Sequence, residues 1–264
     1  MALLHVNFFS DVLGKCMNMD VILPQKTQEQ IGLEGVVREG KYPTLYLLHG
    51  MSDDESCWIR RSSIERYVSD MGIAVVMPNG DLSWYSNTSY RQRYWTYLSE
   101  ELPRICREFF PNMSDRPEDT FAAGNSMGGY GAFKLALARP DTFGAAAGLS
   151  SGLNIKNTVA RNLADHPEER PYWESLFGPE KDLDTCEDNI LVLARRLKES
   201  GKPLPKLYEW CGTGDFLYEA QKEVVEEMMK MGYDISYHEE EGTHRWDYWD
   251  GAVQDLLKWL PVRR

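Results

Sequence analysis

"TFAAGNSMGGYGAFKLALARP", residues 120–140, decides how the rest of the chain is read. Thr120 to Ala123 is apolar and strand-like. Gly124-Asn125-Ser126-Met127-Gly128 follows, and then apolar residues return at helical spacing, with Tyr130, Phe133, Leu135 and Leu137. A period change across a cluster of small residues marks a sharp strand-to-helix turn. The five residues fit G-x-S-x-G, in which only small neighbours let the backbone pass and the serine is lifted off the sheet. The turn also puts Ser126 at a helix N-terminus, where free N–H groups favour developing negative charge. The pattern alone is weak, because it arises by chance in roughly one chain in ten of this length. A tight packing turn or a phosphate turn would read similarly. The phosphate pattern G-x-x-x-x-G-K-[ST] is absent, so the flanking strand and helix favour an activated serine.

Outward from this stretch, strands and helices alternate. "TLYLLHG" (44–50), "IAVVMPNG" (73–80), "FGAAAGLSS" (143–151), "KLYEWCGTGD" (206–215) and "DISYHEEEG" (234–242) read as strands. Helices are expected over about 57–71, 95–110, 128–138, 186–199, 217–231 and 246–260, with a kink or local break at Pro103. This order predicts an α/β fold with a mostly parallel sheet covered on both faces. "LHVNFFS" (4–10) and "MNMDVILP" (17–24) are joined by a short link, which predicts an antiparallel pair at one edge. We read 1–264 as one domain with an insertion at about 152–185, where three prolines and the cluster Tyr172, Trp173, Phe177 interrupt the alternation.

Composition narrows the function. The chain has 264 residues and a net charge of −12, which argues against nucleic acid or an anionic membrane as partner. No apolar run approaches the roughly 20 residues of a membrane span. The N-terminus reads as strand, turn and strand rather than as a signal peptide. Five cysteines without a C-x-x-C pair read as free thiols of a cytoplasmic protein, and they offer no zinc site.

A serine nucleophile needs a base, and the base needs an orienting acid, here in the chain order serine, acid, histidine. Of the five histidines, His5 and His49 precede Ser126, His166 lies in the insertion and His238 lies inside a strand. His244, on the loop after the last strand, is the expected base. Asp215 ends the preceding strand in a Gly-rich loop and is the expected acid, although an aspartate there also suits a helix N-cap. Asp182, Asp184 and Asp247 are the fallback acids. An oxyanion needs two N–H donors, expected from the backbone of Met127 and Met51. Trp84, Tyr85, Trp173, Phe177 and Trp246 are expected to wall the substrate pocket, with ordinary packing an equal reading for each.

"LYLLHGMSDDESCW", "GNSMGGYGAFKLAL", "WCGTGDFLY" and "GTHRWDYW" resemble the esterase D / S-formylglutathione hydrolase superfamily. The opening "NFFSDVLGKCMNMDVILP" resembles its bacterial tributyrin esterase-like branch. The resemblance runs from about residue 5 to 260, weakest over 152–185. It implies an α/β-hydrolase fold and serine carboxylesterase activity on short-chain acyl esters, with no cofactor and no metal. It also implies Ser126, Asp215 and His244 as triad, Met51 and Met127 as donors, and often a homo-oligomer. An acetyl or feruloyl esterase acting on plant polysaccharide esters is the alternative. Formylglutathione hydrolases carry a cysteine shortly after the oxyanion turn. Here the turn reads Met51-Ser52-Asp53-Asp54-Glu55, and Cys57 comes later. That departure, with three acidic residues facing an anionic thiol carrier, argues against a glutathione thioester. A non-catalytic binding member of the fold is the reading from another class.

Overall fold

The computed structural model describes residues 1–178 and 182–262. Eight strands form one sheet: β1 (Ala2–Ser10), β2 (Lys15–Leu23), β3 (Thr44–Leu48), β4 (Ala74–Pro78), β5 (Thr120–Asn125), β6 (Ala145–Leu149), β7 (Lys206–Gly212) and β8 (Ile235–Glu240). Their spatial order is β1-β2-β4-β3-β5-β6-β7-β8. β1 pairs antiparallel with β2, and β2 with β4. Every pairing from β4 to β8 is parallel. The expected sheet and its antiparallel edge are both present.

The helices are α1 (Cys57–Arg61), α2 (Ile64–Tyr67), α3 (Tyr94–Thr96), α4 (Leu102–Phe109), α5 (Met127–Ala138), α6 (Ile155–Asp165), α7 (Arg170–Phe177), α8 (Ile190–Ser200), α9 (Tyr218–Lys230) and α10 (Trp246–Trp259). Side chains alternate along a strand, so each strand feeds two cores. Leu45 and Leu47 of β3 join Trp58, Val253 and Leu256 on the α1, α2 and α10 face. Tyr46 and Leu48 join Phe133, Leu193 and Val225 on the α5, α8 and α9 face. Each buried leucine or valine contributes about 1.5–3 kcal/mol. β3, β4 and β5 are buried along their whole length, which explains their unbroken apolar reading.

Two expected helices differ. The helix read over 57–71 is broken at Ser62, whose extended backbone ends α1 and lets Ser63 start α2. In the helix read over 95–110, the alternative found at Pro103 is the local break rather than the kink. A π turn over Tyr97–Glu101 joins α3 to α4 directly ahead of that proline. The wider turn relieves the clash between the Pro103 ring and the carbonyl four residues back. Between β6 and α8 the chain forms α6, a 3-10 turn and α7, and residues 179–181 of the expected insertion lie outside the described residues.

Candidate active site

The turn after β5 is built by exclusion. A Cβ on Gly124 would lie 2.6 Å from the Leu48 carbonyl oxygen, and one on Gly128 would collide with the same atom. The two motif glycines therefore let the start of α5 pack directly on β3. Ser126, between them, takes φ 55° and ψ −118°, a conformation that costs of order 1–3 kcal/mol. Backbone bonds hold it there. Ser126 N–H donates to Leu149 O at 2.9 Å, and its carbonyl accepts from Gly152 N–H and Tyr130 N–H, each at 3.1 Å.

The acid and the base arrive on two loops joined by backbone bonds. Thr213 N–H donates to Glu240 O and Gly214 N–H to Gly242 O, each at 2.8 Å, which extends the β7–β8 pairing past the strand ends. A Cβ on Gly212 would collide with Gly242, so this approach requires glycine. It brings His244 Nδ1–H to Asp215 Oδ2 at 2.8 Å, and Ser126 Oγ–H to His244 Nε2 at 3.0 Å. The Asp215 side chain is fully buried and that of His244 is 17% exposed. Asp215 Oδ1 also accepts from Leu217 N–H at 2.9 Å, so the carboxylate caps the next turn as well as binding the histidine. Phe216 lies against one face of His244 with centroids 4.4 Å apart, and Trp249 meets it edge-on at 4.8 Å.

The remaining histidines and acids are engaged elsewhere. His5 binds Asp20, His166 binds Glu168 and His238 binds Ser236. Asp182 accepts from Asp184 N–H, Asp184 pairs with Lys156, and Asp247 pairs with Arg245.

The sequence reading missed the brace under the turn after β3. Gly80 N–H donates to His49 Nε2 at 2.8 Å, so the ring proton sits on Nδ1 and donates to Gly50 O, also at 2.8 Å. Burial lowers the His49 pKa and favours this neutral form. Gly50 in turn faces the serine: a Cβ on it would lie 3.4 Å from Ser126 Cβ. Met51 follows on this turn. Met127 N–H belongs to the open first turn of α5, whose first closing bond comes from Tyr130.

The aromatic residues divide. Trp84 and Tyr85 both take φ 48° and are both buried. Their strained turn sends the rings in different directions. The Trp84 ring edge rests on Gly152, the residue bonded to Ser126 O; a Cβ on Gly152 would lie 2.8 Å from it. Trp173 packs on Trp84 at 5.7 Å, and Phe177 stacks on Trp173 at 6.3 Å. Tyr85 departs from the expected wall role. Its hydroxyl donates to His49 O at 2.8 Å, below the Gly50 turn. Trp246 packs on Trp58 at 4.9 Å and on Trp249 at 5.4 Å, in a second row behind His244. A cavity of about 640 Å³ between α2 and α10 is lined by Tyr67, Met71 and Leu257, with none of the three central residues.

The acidic run after Met51 is partly neutralised. Asp53 pairs with Arg61 at 2.8 Å, and Glu55 accepts from Asn79. Cys57 is buried and its thiol pKa is pushed up by that burial, which keeps it protonated.

Known proteins share this arrangement of chain. Residues 10–260 match the Esterase family, described as "Putative esterase". An acetyl esterase of Caldicellulosiruptor saccharolyticus is 29% identical over 268 residues, covering 98% of both chains. A substrate-bound fluorophosphonate-binding serine hydrolase of Staphylococcus aureus superposes with a TM-score of 0.85 at 32% identity, covering 98% of both chains. An S-formylglutathione hydrolase from Staphylococcus aureus does so at 0.83 and 32%, again over 98% of both. The chain thus belongs to the Esterase family within the esterase D / S-formylglutathione hydrolase superfamily: it is a serine carboxylic ester hydrolase on the α/β-hydrolase fold.

Proposed function

We propose that this chain hydrolyses esters of short acyl groups through an acyl-enzyme on Ser126. The observation that carries the reading is the unbroken hydrogen-bonded line from Asp215 through His244 to Ser126 Oγ. Ser126 Oγ attacks the ester carbonyl while His244 Nε2 takes its proton. The N–H groups of Met51 and Met127 receive the oxyanion, each contributing about 3 kcal/mol to the transition state. His244 then returns the proton to the leaving alcohol, with Asp215 stabilising the charged ring. Water repeats the sequence on the acyl-enzyme.

The short acyl preference rests on the wall beside the serine. Trp84 closes on Gly152, and Trp173 and Phe177 back it, so bulky rings crowd the side of the serine turn on which an acyl group would lie, which favours a short one. The similarity to an acetyl esterase agrees. Tributyrin is a fitting test substrate, and the free, mostly buried thiols suit a cytoplasmic setting. The test is hydrolysis of p-nitrophenyl acetate, butyrate and octanoate by wild type and Ser126→Ala, with folding followed by circular dichroism. Activity falling with chain length and abolished in the variant supports the reading. A folded Ser126→Ala that keeps its rate rejects it.

A second reading keeps the chemistry and enlarges the alcohol. Tyr90 is 75% exposed and Leu82 45% exposed on the 81–93 loop, a surface on which a sugar ring could stack. Acetylated xylan or a feruloyl ester turned over faster than p-nitrophenyl acetate would select it.

A further inference from the structure

Glu209 is a lone carboxyl in the middle of β7, fully buried in the sheet. Two glycines clear its place. A Cβ on Gly148 of β6 would collide with the Glu209 carboxyl, and one on Gly129 of α5 with its partner, the Ser151 hydroxyl. Ser151 N–H donates to Glu209 Oε1 at 3.0 Å, and the Ser151 hydroxyl and Oε2 share a hydrogen bond of 2.8 Å. Ser151 is the centre of a turn that bonds to Ser126 directly and reaches His244 through Trp249. On one side lie Leu149 O and Gly152 N–H, which hold the Ser126 backbone. On the other lies Ser150, with φ 52°, whose hydroxyl accepts from Trp249 Nε1–H at 3.0 Å. Trp249 in turn meets the edge of His244.

We propose, on the esterase reading above, that Glu209 is a positioning residue. Its carboxyl fixes the Ser150-Ser151-Gly152 turn, and through that turn the placement of Ser126 and His244. The carboxyl acts in its neutral form. Burial raises its pKa to about 8, and the Asp215 carboxylate pushes in the same direction. Its other titratable neighbours are Tyr208 and Cys211 on its own strand and Tyr237 on β8, all with raised pKa values. The Ser151 contacts favour the ionised form without cancelling the burial, and among the described residues no cation offsets it. Ionisation above that pH would place a second negative charge behind Asp215 and loosen the turn.

The test uses the full chain and p-nitrophenyl acetate. The kcat is followed across the alkaline range for wild type, Glu209→Gln, Glu209→Ala and Ser151→Ala, alongside the rate at which a fluorophosphonate labels Ser126. Wild-type kcat is expected to fall above about pH 8. Glu209→Gln, a permanent mimic of the neutral acid, keeps its neutral-pH kcat within about twofold and lacks that fall. Glu209→Ala and Ser151→Ala lose about tenfold in kcat and in labelling rate, with KM within about twofold. Should Glu209→Ala not fold, Glu209→Gln and Ser151→Ala carry the test. Alanine variants that turn over and label like wild type overturn the proposal, as does an alkaline fall that Glu209→Gln leaves in place. Failure of the esterase reading looks different, because there wild type itself does not hydrolyse the ester.

Discussion

The two halves of the reacting pair are held in different ways. Ser126 is held by backbone: its N–H and carbonyl are both bonded, and glycines on either side leave no room for adjustment. The His244 loop is tied by backbone bonds to the Asp215 loop, but the imidazole itself is held by side chains. Asp215 binds one nitrogen, Phe216 covers a face and Trp249 supports an edge. A group fixed by sterics fails all at once when its surroundings change. A group fixed by several side-chain contacts loses them one at a time. The nucleophile side should therefore respond to substitution as a switch and the histidine side by degrees.

The largest effect is expected on the serine itself. Ser126→Ala should lose at least about a thousandfold in kcat/KM with the fold intact, since among the described residues the deleted hydroxyl bonds to His244 alone. A steady-state assay with a circular dichroism control measures this. Gly128→Ala tests the switch next. The new methyl meets the Leu48 carbonyl, a backbone atom that cannot rotate away. The cost is about 3 kcal/mol, or roughly 10 °C in Tm for a chain of this size. A calorimetric Tm within a degree or two of wild type would show that the turn is more compliant than its geometry suggests.

The histidine side should grade. Asp215→Asn removes the charge and favours the wrong tautomer of His244, for a loss of about a hundredfold or more in kcat. Phe216→Ala leaves both hydrogen bonds and removes the tilted ring contact on His244, along with the seat of the Arg161 guanidinium, for a loss of about tenfold. Phe216 is 56% exposed, so the truncation opens no core cavity and the Tm should hold. If Phe216→Ala cost as much as Asp215→Asn, the histidine loop would be as rigid as the serine turn, and the contrast between them would disappear.

Most of this architecture was legible in the sequence because the signals are local. Period changes mark β5 and α5, and Gly-rich breaks mark the ends of β3 and β7. Serine, acid and histidine each follow such a break, so the order of elements already brings them to one end of the sheet. What stayed hidden depends on contacts far apart in sequence. His49 reads as the end of a strand until Gly80, 31 residues on, is seen to donate to it. Tyr85 reads as a pocket wall until its hydroxyl is found on the His49 carbonyl. At Pro103 the sequence left a kink and a local break open, and only the structure shows the break to be a π turn ahead of the proline. Glu209 did leave a trace, as the one acid among the apolar residues of "LYEWCG", but nothing local says that Ser151 lies beneath it.

The smallest expected effect concerns the aromatic wall, where packing and recognition compete for the same rings. Trp173 and Phe177 stack on each other, and Trp173 packs on Trp84 ahead of the serine turn. Replacing both by alanine deepens the space behind Trp84 without touching Ser126, Asp215 or His244. The ratio of octanoate to acetate turnover should then rise by a few-fold, since each additional buried CH₂ is worth about 0.8 kcal/mol and only a few would fit. The acetate rate should change little. Trp173→Ala together with Phe177→Ala must also lower the Tm, because both rings belong to the core. The ratio separates the two roles, because loss of stability alone slows every ester equally. A Tm loss with an unchanged ratio would assign these rings to the core alone and leave Trp84 as the wall.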